Sequence, residues 1–122
     1  MTKVMLIEDD DIMISLLHTL LEIEGFNIVN YTIGDDLLTT IRREKPDIIL
    51  LDVHLRDNHG REVNGLDYLD QVRQEADLDS VQIIVSSGID FKDRSIQAGA
   101  NGFVHKPYMP NELIRLMKRT VS

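Results

Sequence analysis

Apolar positions fall into five short runs, each followed by a stretch in which apolar residues recur every three or four positions. The first run, Lys3 to Ile7, leads to Ile12, Leu16, Leu20 and Ile23, which share one helical face and are expected to point inward; Gly25 stops that helix. Asn27 to Tyr31 reads as a second strand and Asp35 to Glu44 as a second helix with Leu37, Leu38 and Ile41 inward. Pro46 breaks that helix before a third strand, Asp47 to Leu51. Its run Ile48-Ile49-Leu50-Leu51 does not alternate, which predicts a central strand covered on both faces. Gly65 to Ala76 follows as a helix, Val81 to Val85 as a strand, and Asp90 to Ala98 as a short helix ended by Gly99. Asn101 to Val104 then gives a fifth strand and Pro110 to Val121 a fifth helix, with no internal repeat or low-complexity linker.

Alternating strands and helices with right-handed crossovers predict an α/β fold with a parallel sheet. The 122 residues are about half of what a closed barrel needs. The expected architecture is therefore a doubly wound five-stranded parallel sheet, flavodoxin-like (βα)5, with strand order 2-1-3-4-5, forming one domain over residues 1–122 with no output domain attached. A hydrophobic content of 43% suffices for one core, and 5% aromatic residues make that core aliphatic. No apolar stretch is long enough to cross a bilayer, and Met1-Thr2-Lys3 leads straight into a strand without a signal-peptide pattern, so a soluble, cytoplasmic protein without membrane contact is expected. The absence of cysteine excludes disulfides, thiolate metal sites and a thiol nucleophile. A formal charge of −8 disfavours direct nucleic-acid binding and favours proteins or small ions as partners.

Polar signals stand just past four of the apolar runs: Glu8-Asp9, Asp52, Ser87 and Lys106-Pro107. In an open parallel sheet such positions gather at the carboxyl-end rim, and the order 2-1-3-4-5 puts its switch point between the strands that end in Glu8-Asp9 and Asp52. Asp10 or Asp11 is accounted for as the cap of the first helix. Converging carboxylates repel unless a cation or proton compensates them. Mg²⁺, held by oxygen ligands and water, suits Asp9 and Asp52 with Glu8 acting through water; no calcium-loop motif is present. Lys106 adds an ammonium suited to a phosphoryl group, and a cis bond before Pro107 would explain the Lys-Pro pair. Gln82 at the start of the fourth strand puts Ser87 at its tip before Gly88, where its hydroxyl could meet a phosphoryl oxygen, with Ser86 as a rival.

These residues and their order closely resemble the receiver domain of two-component response regulators, over Lys3 to Val121. The motifs that carry the likeness are Met5-Leu6-Ile7-Glu8-Asp9-Asp10, Lys45-Pro46-Asp47-Ile48-Ile49-Leu50-Leu51-Asp52, Ile83-Ile84-Val85-Ser86-Ser87-Gly88, and Ala98-Gly99-Ala100 with Lys106-Pro107. The resemblance implies that Asp52 is the phosphoacceptor and that Glu8 and Asp9 hold Mg²⁺ together with Asp52 and the main-chain carbonyl of His54. It further implies that Ser87 is the switch hydroxyl, that Lys106 binds the phosphoryl group, and that Phe103 occupies the switch aromatic position, although core packing explains Phe103 equally well. The phosphoryl donor would be a histidine kinase or histidine phosphotransfer protein, and a downstream protein target would read the face made by the fourth helix, fifth strand and fifth helix. A homodimer is among the assemblies this allows. The domain would catalyse only its own phosphorylation and dephosphorylation, and so is not classed as an enzyme.

Three departures from the family stand out. The stretch Arg56 to Asn64 is long for the family, with Arg56 where proline is common; it reads as a loop beside the site that shapes partner choice, shields an acyl phosphate, or is a tolerated surface insertion. The region Ile89 to Gln97 is short, and His54 follows the nucleophile by two positions, where it is expected to face solvent. Two other classes fit the residues less well. A pseudo-receiver that only binds proteins conflicts with the intact set Asp9, Asp52, Ser87 and Lys106, while an aspartyl-phosphate phosphohydrolase of the haloacid dehalogenase kind would need an acid where His54 stands.

Overall fold

The computed structural model describes residues 2–121; Met1 and Ser122, the end positions of the expected domain, lie outside the described residues. The strands β1 Lys3–Ile7, β2 Asn27–Asn30, β3 Ile48–Asp52, β6 Gln82–Ser87 and β7 Gly102–His105 form a five-stranded sheet in the order β2-β1-β3-β6-β7. Every neighbouring pair is parallel. This is the expected 2-1-3-4-5 arrangement, renumbered because two short strands, β4 His54–Arg56 and β5 Glu62–Asn64, pair antiparallel as a separate hairpin. All of β3 is buried, as its unbroken aliphatic run requires.

The helices are α1 Asp11–Ile23, α2 Leu37–Glu44, α3 Gly65–Arg73, α4 Lys92–Gln97 and α5 Pro110–Val121. Alternate residues of each strand enter opposite layers. Met5, Ile7, Ile49, Leu51, Ile83 and Val85 meet Leu37 and Ile41 of α2 and Leu66, Leu69 and Val72 of α3. Val4, Leu6, Ile48, Leu50, Ile84 and Val104 meet Leu17 and Leu21 of α1 and Leu113 and Met117 of α5. The expected third helix ends earlier, at Arg73, and continues as a single 3₁₀ turn over Ala76–Leu78.

The ends of α1 follow the sequence signals. Asp10 is the N-cap, its Oδ1 accepting the N–H of Ile12 at 3.0 Å and of Met13 at 3.3 Å. Gly25, at φ +90°, takes the left-handed conformation that lets Phe26 N–H close back on the Leu21 carbonyl at 3.0 Å.

The inward face of α1 is not the expected one. Leu17 and Leu21 are buried, whereas Ile12, Leu16 and Ile23 are 81%, 49% and 76% exposed. Two apolar series overlap on this helix at similar spacing, one through Met13, Leu17 and Leu21 and the other through Ile12, Leu16, Leu20 and Ile23. Periodicity alone does not choose between them. The choice is made by contact with Phe26, Leu50 and Leu113 in the layer beneath.

The stretch expected as a loop after Arg56 is instead ordered by Asp57. Its Oδ1 accepts the N–H of His59 and of Arg61, each at 2.9 Å, while its own N–H donates to the Arg61 carbonyl at 3.0 Å. Gly60 completes the turn at φ +75°. Strands of three residues containing Arg, Glu and Asn carry too little alternation to be read from sequence.

Candidate phosphoryl-acceptor site

Because β1 and β3 are adjacent and parallel, with Ile7 in register with Leu51, their carboxyl ends place Glu8-Asp9 and Asp52 side by side. β6 follows with Asp52 in register with Ser86, and β7 brings Ser87 opposite His105, one residue before Lys106. Oxygens of Glu8, Asp9 and Asp52 all lie within 4.8 Å of one another. Lys106 reaches into this group, its Nζ 3.0 Å from Glu8 Oε1 and 3.3 Å from Asp52 Oδ2. The Lys106–Pro107 bond is cis, and the Lys106 N–H donates to the Ser87 carbonyl at 2.8 Å.

Glu8 and Asp52 are buried, while Asp9 is exposed at the rim. Asp52 Oδ1 accepts the Val53 N–H at 3.1 Å, and Glu8 Oε2 accepts the Asp9 N–H at 3.0 Å. Burial pushes the Glu8 carboxyl up to about 7; the Asp52 charge adds to the rise and Lys106 offsets only part of it. Burial likewise pushes Asp52 above the usual carboxylate range, against the pull of Lys106. At Lys106 burial disfavours the ammonium, but the Asp52 and Glu8 carboxylates outweigh it and hold its pKa above the ordinary value. With all three carboxylates ionised, the single ammonium would leave two negative charges uncompensated, which a divalent hard cation with oxygen ligands would balance.

The two serines divide. Ser87, the last residue of β6, is fully buried, and its Oγ accepts the Ile89 N–H at 3.1 Å. Ser86 lines a small cavity with Glu8, Leu17, Asp52 and Tyr108. Phe103 is half-buried against the α2–α3 layer together with Phe91 and Ala98. His54 is exposed, as expected, and its ring lies 6.1 Å from that of Phe91.

Two contributors escape the sequence. Tyr108, whose hydroxyl burial pushes up to about 12, closes the cavity beside Asp52; only its place two residues after Lys106 hinted at this. The other is the hairpin, whose Arg56 N–H donates to Asp9 Oδ2 at 2.7 Å.

Residues 4–118 match the family model of the response regulator receiver domain. The chain is 27% identical to the alkaline phosphatase synthesis transcriptional regulatory protein PhoP of Bacillus subtilis, over 91% of this chain and 45% of that protein. It is 33% identical to the transcriptional regulatory protein KdpE of Staphylococcus aureus, over 97% of this chain and 50% of that protein. The chain thus spans about half the length of the curated relatives it matches. A solved structure from Chloroflexus aurantiacus, assigned as a response regulator, superposes with a TM-score of 0.86 at 25% identity, covering 98% of this chain and 97% of that one. Among the described residues no helix is long and apolar enough to cross a membrane. With the sheet order, the gathered acids and a family match spanning nearly its whole length, this chain belongs to the response regulator receiver domains, a family of signalling modules rather than metabolic enzymes.

Proposed function

We propose that the 122 residues act as one receiver unit of a two-component or phosphorelay system. Asp52 takes a phosphoryl group from a histidine kinase or histidine phosphotransfer protein, and the altered surface is read by a downstream protein target. The observation that carries this reading is the position of Lys106 Nζ between Glu8 and Asp52, at the mouth of a buried group of acids.

Mg²⁺ is the cofactor of this reading, held by Asp9 and Asp52, by Glu8 through water, and by the main-chain carbonyl of His54. When bound, it supplies the charge that the acids lack and neutralises phosphoryl oxygens. A carboxylate oxygen of Asp52 attacks phosphorus; an O–P bond forms as the P–N bond to the donor imidazole breaks, and the electron pair stays on that nitrogen, which is protonated. The Lys106 ammonium, already 3.3 Å from Asp52, stabilises the charge on the transferred group. Ser86, in register with Asp52 and lining the same cavity, donates its hydroxyl hydrogen to a phosphoryl oxygen in place of Ser87, whose buried Oγ is engaged by the Ile89 N–H; Phe103 follows into the space released, biasing the face formed by α4, β7 and α5.

The test is intact-mass measurement during incubation with acetyl phosphate. Uptake of one phosphoryl group with Mg²⁺, its loss in EDTA, and slower uptake by Lys106→Met are expected; uptake indifferent to both changes contradicts the reading.

A further inference from the structure

The hairpin β4–β5 touches the cation site at one point. Arg56 stands at the end of β4, and its N–H points away from β5 to Asp9 Oδ2, at 2.7 Å. Its side chain points elsewhere, donating to the Gly60 carbonyl at 2.9 Å and to Glu62 at 3.3 Å. Asp9 is exposed and has no other hydrogen bond to its carboxylate among those found for the described residues. Without this amide, a short exposed side chain would be free to rotate away from Asp52.

We infer that the main-chain N–H of Arg56 is a positioning group for the cation site: by fixing one oxygen of Asp9, it keeps that carboxylate turned toward Glu8 and Asp52 and so sets the affinity for Mg²⁺. The inference rests on the reading of Glu8, Asp9 and Asp52 as the Mg²⁺ site. Hydrogen bonds that orient a metal ligand from behind are worth about 10- to 100-fold in affinity. The remainder of the hairpin keeps the amide in place through the Asp57 turn at one end and the Gly65 N–H, 2.7 Å from the Val53 carbonyl, at the other. The bulk of the long stretch is then scaffolding for one hydrogen bond.

The amide can be removed without touching the pairing of the hairpin, because it faces outward and the preceding Leu55 is already extended. Arg56→Pro deletes the N–H together with the side chain, and Arg56→Ala deletes the side chain only. In calorimetric titration with Mg²⁺ alone, the proline variant is expected to bind at least about tenfold more weakly than the alanine variant. A second measurement, on the unmutated protein, guards against misfolding of the variant: the Arg56 amide proton resonance moves on Mg²⁺ addition and saturates with the binding curve, because the metal draws charge from its acceptor. Equal affinity of the two variants, or an Arg56 amide unmoved at saturating Mg²⁺, overturns the inference while leaving the site intact. Failure of the unmutated protein to bind Mg²⁺ overturns the reading of the site and the inference with it.

Discussion

Gly65 lies against the carbonyl of Asp52 so closely that a β-carbon on Gly65 would stand 2.0 Å from that oxygen. The first residue of α3 is thereby tied to the backbone of the acceptor residue, and the Gly65 N–H reaches the next carbonyl, that of Val53, at 2.7 Å. Backbone cannot swing aside as a flexible side chain can, so any larger residue here displaces α3 or Asp52. Gly65→Ala is expected to cost about 3 kcal/mol, at the upper end of overpacking effects, read from denaturant unfolding. Gly88, whose added β-carbon would meet nothing within 4 Å, is the control; its alanine variant should lie within about 0.5 kcal/mol of the unmutated protein.

Glu8 predicts a pH dependence. Its folded-state pKa, pushed up to about 7 by burial and the Asp52 charge, exceeds the ordinary 4.5. Its neutral form is favoured in the folded state, so its contribution to stability is fully present below 4.5 and is lost as pH rises toward 7. Glu8→Gln removes that loss while keeping an acceptor for Lys106. Without divalent cations, the melting-temperature gain of Glu8→Gln over the unmutated protein should be small at acid pH, grow across this window and level off above it. A gain that does not vary with pH would contradict the assignment.

Arg73 predicts a structural loss far from the acids. Its guanidinium donates to the carbonyls of Gly99 at 2.8 Å, Leu78 at 3.3 Å and Val81 at 2.8 Å, and to Asn101 Oδ1 at 2.9 Å, joining α3 to the segments before β6 and β7. Arg73→Met removes the guanidinium from all four acceptors, of which only the Leu78 carbonyl and Asn101 Oδ1 keep another donor, the N–H of Val81 and of Ile83, and it should destabilise the domain by about 3 kcal/mol in denaturant unfolding. Arg73→Lys should recover only part of it, since a single ammonium cannot span the same fork.

The face of α1 is tested by a pair of truncations. Leu21→Ala, in the buried layer with Phe26 and Leu113, should cost about 2–5 kcal/mol. Ile12→Ala, at a position 81% exposed, should stay within about 0.5 kcal/mol. Reversal of that order would put the series through Ile12, Leu16, Leu20 and Ile23 inward instead.

The sheet was legible because Ile48 to Leu51 of β3 are all aliphatic and because Gly25, Pro46 and Gly99 interrupt the chain where elements end. The gathering of Glu8, Asp9, Asp52 and Lys106 was legible as well, since each closes or follows a strand of one parallel sheet. What escaped depends on tertiary choice or on main-chain atoms. The inward face of α1 is decided by its neighbours, not by its own spacing. The hairpin is built by the Asp57 turn, and its contact with Asp9 is made by an amide that every residue but proline carries. Ser86 and Ser87 differ by one residue in register, so their separate surroundings emerge only from strand pairing.

Whether Asp52 is the residue esterified is decided by comparing intact masses of the unmutated protein and Asp52→Asn after incubation with acetyl phosphate and Mg²⁺. A gain of one phosphoryl group, labile to base as an acyl phosphate is, is expected on the unmutated protein and none on the variant. An equal gain on both would contradict that role of Asp52.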